Sequence, residues 1–184
     1  MKKIILTLFV IGMMSITAQA QRFITKNGHV WFYSEAPLET IEAHNNQANA
    51  ALDIKSGDFV FKILMKSFNF EKALMQEHFN ENYVESDKFP NATFKGKVTN
   101  MDAIEFSMPG TYDATIEGEL TIHGVTQKVT ANGNFHVKKD MIHGKAKFNI
   151  AIADYDISIP GAVAGKIAEV VEVTVDIKLT ELKK

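Results

Sequence analysis

The chain of 184 residues reads as an all-β fold, an eight-stranded antiparallel β-barrel with one substantial α-helix. Two observations predict it. From Tyr112 to Leu182 apolar and polar residues alternate strictly in four runs separated by turn residues, which gives each strand one dry and one wet face. Elsewhere the period of two gives way to a helical period at one place only, after Asn69.

Taken in order, residues 1–20 stand apart from the fold. Lys2 and Lys3, the apolar run Ile4 to Met14, and Ala18-Gln19-Ala20 have the layout of a secretory signal peptide cleaved after Ala20, so the expected mature chain is residues 21–184, one domain, in the periplasm or secreted. The apolar run is too short for a comfortable span, and no later stretch approaches the roughly 20 apolar residues that a spanning helix needs. His29-Val30-Trp31-Phe32-Tyr33 reads as a strand before a turn at Pro37. A long stretch through Ala48, Ala50, Leu52 and Ile54 follows and closes at Ser56-Gly57-Asp58. Phe59, Phe61, Ile63 and Met65 alternate with Val60, Lys62, Leu64 and Lys66, a strand apolar on much of both faces and so expected to be covered outside. The cover is expected to be a helix with Asn69 as N-cap and Phe70, Leu74, Met75, His78 and Phe79 at helical spacing, ended near Phe89 by Pro90. Thr93 to Val98 and Ala103 to Met108 resume short strands before the Pro109-Gly110 turn.

In the first long run Tyr112, Ala114, Ile116, Leu120 and Ile122 share a face opposite Asp113, Thr115, Glu117, Glu119 and Thr121. The second places Val129, Ala131, Phe135 and Val137 together, the third Ala146, Phe148, Ile150 and Ile152, and the fourth Val171, Val173, Val175, Ile177 and Leu179. A hairpin folded at Gly124-Val125-Thr126-Gln127 pairs Ile122 with Val129, Leu120 with Ala131, Gly118 with Gly133 and Ile116 with Phe135, so that apolar meets apolar throughout. Many short strands with one dry face pack as a sandwich or close as a barrel. Closure removes exposed edges, and short hairpins favour the up-and-down form.

Composition narrows the function. The chain has no Cys, which excludes disulfides, thiol catalysis and thiolate metal sites. With 20 basic and 22 acidic side chains the net charge is −2, and loss of Lys2 and Lys3 makes it −4. No basic stripe marks a nucleic-acid partner. The six histidines, His29, His44, His78, His123, His136 and His143, show no i, i+4 pair and no His-x-His. In the expected register His123 faces Lys128 and His136 faces Thr115, which assembles no three-ligand metal site. No Gly-x-Ser-x-Gly elbow, phosphate loop or dinucleotide fingerprint occurs. Asp154-Tyr155-Asp156 reads as a strand end rather than an acid–base or calcium site. The reading is of a protein with no cofactor, no metal and no catalytic residues.

The run Phe68-Asn69-Phe70 through Leu74-Met75-Gln76-Glu77-His78-Phe79, then Tyr83 and Lys88-Phe89-Pro90-Asn91-Ala92-Thr93-Phe94-Lys95-Gly96, resembles the central signature of the YceI-like family. Gly118 to Val129, a strand, a Gly-Val-Thr turn and a returning strand, is similar to the second. Residues 22–55 lack the Trp-x-x-Asp and His-Ser opening common in that family. The resemblance implies a lipocalin-like barrel of the bacterial periplasm that holds a polyisoprenoid or similar long amphiphilic lipid, with no catalytic residues.

The inward positions then become candidate lumen-lining residues: Phe59, Phe61, Ile63, Leu74, Met75, Phe79, Phe94, Phe106, Ile116, Leu120, Phe135, Phe148, Ile150, Val173 and Val175. Their apolar faces fit either a filled core at ordinary density or a lined tunnel in which an isoprenoid tail gains roughly 0.8 kcal/mol per buried CH2. The inward Gly118, Gly133, Ala114, Ala131 and Ala146 fit either space beside the aromatics or a close approach of backbone. The helix either caps one opening or simply docks. Three functions follow: a lipid binder, a non-catalytic structural or stress-related interaction module with a filled barrel, and a small barrel enzyme on a hydrophobic substrate. A homodimer through an exposed strand or the helix is compatible with each.

Overall fold

A computed structural model describes residues 21–183; the expected signal peptide lies outside the described residues. The strands are β1 (Arg22–Glu35), β2 (Thr40–Asp53), β3 (Asp58–Leu64), β4 (Asn69–Phe70), β5 (Asn91–Val98), β6 (Gly110–Ile122), β7 (Val125–Lys138), β8 (Met141–Ala151) and β9 (Val170–Glu181). The two-residue β4 stands outside the barrel proper. The other eight pair with their chain neighbours in antiparallel fashion, and β1 also pairs with β9, so the sheet closes into an eight-stranded up-and-down barrel. Closure leaves the wall without a free long edge.

Inward and outward faces follow the period-two reading, but the β6–β7 hairpin is tighter than expected. Its turn is the two residues His123 and Gly124, with φ of 50° and 79°, the left-handed pair of a type I′ connection whose twist matches the strands. Ile122 therefore pairs with Val125, Gly118 with Val129, Ile116 with Ala131 and Tyr112 with Phe135. The correction is a slip of four residues, an even number, so every side chain keeps its face. Gly118 faces Gly96 on its other side. A Cβ at Gly118 would sit 2.4 Å from the Lys95 carbonyl oxygen and 2.5 Å from the Gly96 Cα. Close backbone approach, rather than empty space, is what this glycine serves.

Two further elements differ from expectation. Asn69 caps no helix: with Phe70 it pairs to Ala43 and His44 of β2, and helix α1 begins only at Ala73, runs to His78 and continues as a wider turn over Phe79–Tyr83. The strand pairing takes Phe70 out of the helical period because β3 leaves β2 after Asn49, and the bare β2 edge accepts β4 instead. Buried Asn45 fills the gap: its amide donates to the Leu64 carbonyl at 3.0 Å and its Oδ1 accepts from the Gln47 amide at 2.9 Å. The helix is consequently not laid on the outside of β3, where Val60 and Leu64 are 45% and 43% exposed. The expected strand at Ala103–Met108 is a short 3-10 turn at Met101–Ala103 followed by irregular chain.

The turns define two ends. At one lie the β2–β3 and β7–β8 turns and the β5–β6 connection; here a buried cluster of Phe23, Leu52, Phe59, Ile104, Phe135 and Leu179, joined by others, forms a packed floor. At the other lie the β1–β2 turn, the segment bearing α1, the β6–β7 turn and the long β8–β9 loop. His123 joins three of them. Its Nε2 meets Glu85 Oε2 at 3.0 Å and its Nδ1 the Tyr155 carbonyl at 3.1 Å, while its ring edges against Phe89. The β8–β9 loop is also tied to the first hairpin, through the Leu38 amide to the Gly165 carbonyl at 2.9 Å and the Ala168 amide to Ser34 Oγ at 2.9 Å.

On the outer wall Asp176 accepts from His143 Nε2 at 2.6 Å and lies 3.1 Å from Lys145 Nζ. Burial pushes its carboxyl up, but the hydrogen bonds from His143 and Lys145 outweigh that and hold it below the usual 3.8.

Two outcomes check this account. Gly118→Ala should lower unfolding stability by about 1–3 kcal/mol in urea titration, the range for overpacking; an unchanged midpoint would show that the position is open space. Because the Asp176 carboxyl is depressed in the folded state, its contribution is present at neutral pH and is lost as pH falls from about 4 downward. Thermal melts of Asp176→Asn should therefore decline less steeply than the parent below that pH, and parallel declines would contradict the assignment.

Candidate functional site: a lumen closed at one end

Above the packed floor the inward side chains stop short of one another and leave a cavity of about 520 Å³. An eight-stranded barrel is wide enough either to be filled by its side chains or to hold one small ligand; this one is filled at the floor and leaves space above it.

The wall is built by alternation. Strand β3 contributes Phe59, Phe61 and Ile63, β5 Phe94, β6 Ile116 and Leu120, β7 Phe135, β8 Phe148 and Ile150, and β9 Val173 and Val175. From above, Leu74, Met75 and Phe79 of the helical segment complete it. Of the fifteen residues expected to line the lumen, Phe106 alone is placed elsewhere: it packs into the floor cluster with its ring 6.3 Å from that of Phe135. The reason is its irregular segment, which crosses the closed end and turns the ring into the plug.

Small residues divide in the same way. Ala131 and Ala146 line the cavity and make room in it, whereas Ala114 is buried in the floor and Gly118 and Gly133 stand at close backbone contacts.

The helical segment lies over the opening. No residue of α1 is buried, and Leu74 is 61% exposed although it lines the cavity. Beside it Phe32, Phe68, Phe70 and Phe79 form a knot of rings with centroids 5.0 to 5.8 Å apart. This knot anchors one side of the segment to β1 and β4 and leaves Leu74 and Met75 at the rim. Ile157, Val163 and Ile167 of the β8–β9 loop also line the cavity, and Ile157 packs in one cluster with Phe68, Phe79 and Tyr83.

Apart from Lys145 on β8, the lysines and the carboxylate that line the cavity belong to that region. Lys72 Nζ lies 2.7 Å from Glu39 Oε1; the hydrogen bond from Lys72 holds the Glu39 carboxyl below its usual range against a small opposing effect of burial, and raises Lys72 in return. Lys166 lines the same rim. Tyr155 is buried in the wall, and burial with the nearby Asp154 pushes its phenol up. Lys145 touches the wall, but its ammonium turns outward to Asp176.

Several of these groups escape a reading by period. Phe32, Phe68, Val129, Tyr155, Lys72 and Lys166 line the cavity. Val129 and Phe32 do follow strand alternation, while Tyr155 and Lys166 sit in the β8–β9 loop, which has no period. Two histidine contacts come from strand pairing: His29 Nε2 meets His44 Nδ1 at 3.0 Å, and His136 Nδ1 meets Thr111 Oγ1 at 2.9 Å instead of Thr115. Strand adjacency, invisible in linear spacing, brings these pairs together. No group of three or more metal-ligating side chains occurs among the described residues.

Solved structures share this architecture. A polyisoprenoid-binding domain from Saccharophagus degradans, implicated in plant cell wall breakdown, superimposes with a TM-score of 0.75 at 14% identity over 89% of this chain and 99% of its own. BcnA from Burkholderia cenocepacia does so with 0.67 at 16% identity, over 83% and 96%. The Campylobacter jejuni YceI protein gives 0.60 at 16% identity, over 77% and 85%. At such identities the likeness is one of fold. No match was found among curated protein sequences. The sequence pattern of the YceI-like domain does match, over residues 15–179, and with the closed barrel and its cavity this establishes that the chain belongs to the YceI-like family.

Proposed function

We propose that the protein is a binding protein, not an enzyme, that shelters the tail of a polyisoprenoid or similar long lipid in the upper half of its barrel, outside the cytoplasm. The observation that carries the reading is the cavity of about 520 Å³, walled by aromatic and aliphatic side chains and framed by a helical segment and a loop. Such a volume lies within the range of small-molecule sites. Transfer of ten methylenes from water gains roughly 8 kcal/mol at about 0.8 each, enough to offset the lower range of association costs of about 4–15 kcal/mol. Tail burial supplies affinity without any chemical step. The polyisoprenoid-binding relative from Saccharophagus degradans supports the ligand class, and the basic, apolar and small-residue layout of residues 1–20 supports export.

Organic extraction and mass spectrometry of protein purified without detergent should return a stoichiometric long-chain lipid; repeated extracts without one, from protein that also fails to take up added lipid, would contradict the reading. Filling the wall with Ala131→Phe and Ala146→Phe together should reduce retained lipid by roughly tenfold or more while the barrel keeps or gains stability, since cavity filling usually stabilises. Undiminished lipid in a folded double variant would place the ligand elsewhere.

A further inference from the structure

The distribution of charge around the cavity narrows what the ligand's other end is. Among the residues that line it, the only carboxylate is Glu39, and the basic side chains are Lys72, Lys145, Lys166 and the imidazole of His78. Lys145 is spoken for outside by Asp176. Lys72 stands at the start of the helical segment and Lys166 in the β8–β9 loop, and both lie near the β1–β2 turn. Glu39, on the turn between β1 and β2, is bonded to Lys72 and feels the charge of Lys166. No carboxylate lies within ion-pair distance of Lys166 among the described residues. Glu71 adjoins Lys72 but does not line the cavity. The rim thus carries two ammonium groups against one carboxylate, above walls with no free charge.

The volume limits the tail. A methylene fills about the share of liquid volume that a water molecule does, ~30 Å³, so a cavity of about 520 Å³ encloses about 17 such groups. One chain fits; the two chains of a diacyl phospholipid need about twice the space.

Building on the lipid-binding reading above, we propose that the site takes a single-chain amphiphile with an acidic head, a phosphate or a carboxylate, held between Lys72 and Lys166, and a tail of about 15–20 carbons. The lysines select the head, the walls select the length, and Glu39 keeps Lys72 turned to the rim when the site is empty.

Equilibrium dialysis of the full chain with four labelled ligands tests this: geranylgeranyl phosphate, geranylgeraniol, palmitate and hexadecanol. At low salt one or both acids should bind roughly tenfold tighter than the alcohol of the same tail, as two exposed ion pairs allow, and the preference should shrink in high salt. A phosphate preference alone identifies the head as phosphate, a palmitate preference alone as carboxylate. Lys72→Ala with Lys166→Ala should bring the acid-to-alcohol ratio to about one, while Lys62→Ala on the outer wall keeps it. Equal binding of acid and alcohol in the parent, or a preference that survives the double variant, would overturn the head-group assignment. Octaprenyl phosphate binding more tightly than geranylgeranyl phosphate would overturn the tail length. Failure of all these ligands to bind would instead strike the lipid-binding reading itself.

Discussion

Strand β1 is hydrogen-bonded along both edges, to β2 from Arg22 to Glu35 and to β9 from Phe23 to Tyr33, and the remaining features depend on that closure. A closed wall of eight strands fixes the diameter of the interior. Once the diameter is fixed, the sizes of the inward side chains decide which levels are full. At the floor Phe23, Phe59, Phe135 and Leu52 meet, with Phe106 and Met101 brought in from the β5–β6 connection. Higher up, Val129, Ala131, Ala146, Val173 and Val175 share the inward places with the rings of Phe61, Phe94 and Phe148, and the short side chains leave space between the rings.

The same closure explains where the helical segment goes. The eight long strands use almost all of the ladder, but β3 parts from β2 after Asn49 and leaves the upper edge of β2 to Asn45 and β4. The chain between β3 and β5 emerges there, turns through the phenylalanine knot and crosses the opening. His123 then ties the far side of that segment to the β8–β9 loop through Glu85 and the Tyr155 carbonyl. Both partners are acceptors, so both bonds are satisfied together when both ring nitrogens carry protons. The cover is held at its flanks, while Leu74 and Met75 between them remain only partly packed.

Much of this is written in the period of the chain, and some of it is not. Alternation identifies faces, so Ile116, Leu120, Phe148, Val173 and Val175 could be assigned inward before any pairing was known. It does not identify register: a four-residue slip of β6 on β7 leaves all faces unchanged, and only the left-handed pair His123-Gly124, with a histidine where Asn or Gly is more usual, fixes the turn. Phe106 carried a strand-like alternation that the irregular chain around Pro109 did not realise. The helical period from Asn69 was real from Ala73 onward, and its first turn was lost to a ladder bond with β2 that no local propensity encodes. Lys166 and Tyr155 lie in a loop, and contacts between distant loops leave no periodic mark.

The central claim is that the upper lumen is built to be occupied and not merely underpacked. A crystal structure of protein purified from its native compartment without detergent tests this most directly. The account predicts continuous elongated density along the axis from Phe135 to Leu74, bounded by the rings of Phe61, Phe94 and Phe148. Collapse of those rings onto one another, with no density between them, would contradict it.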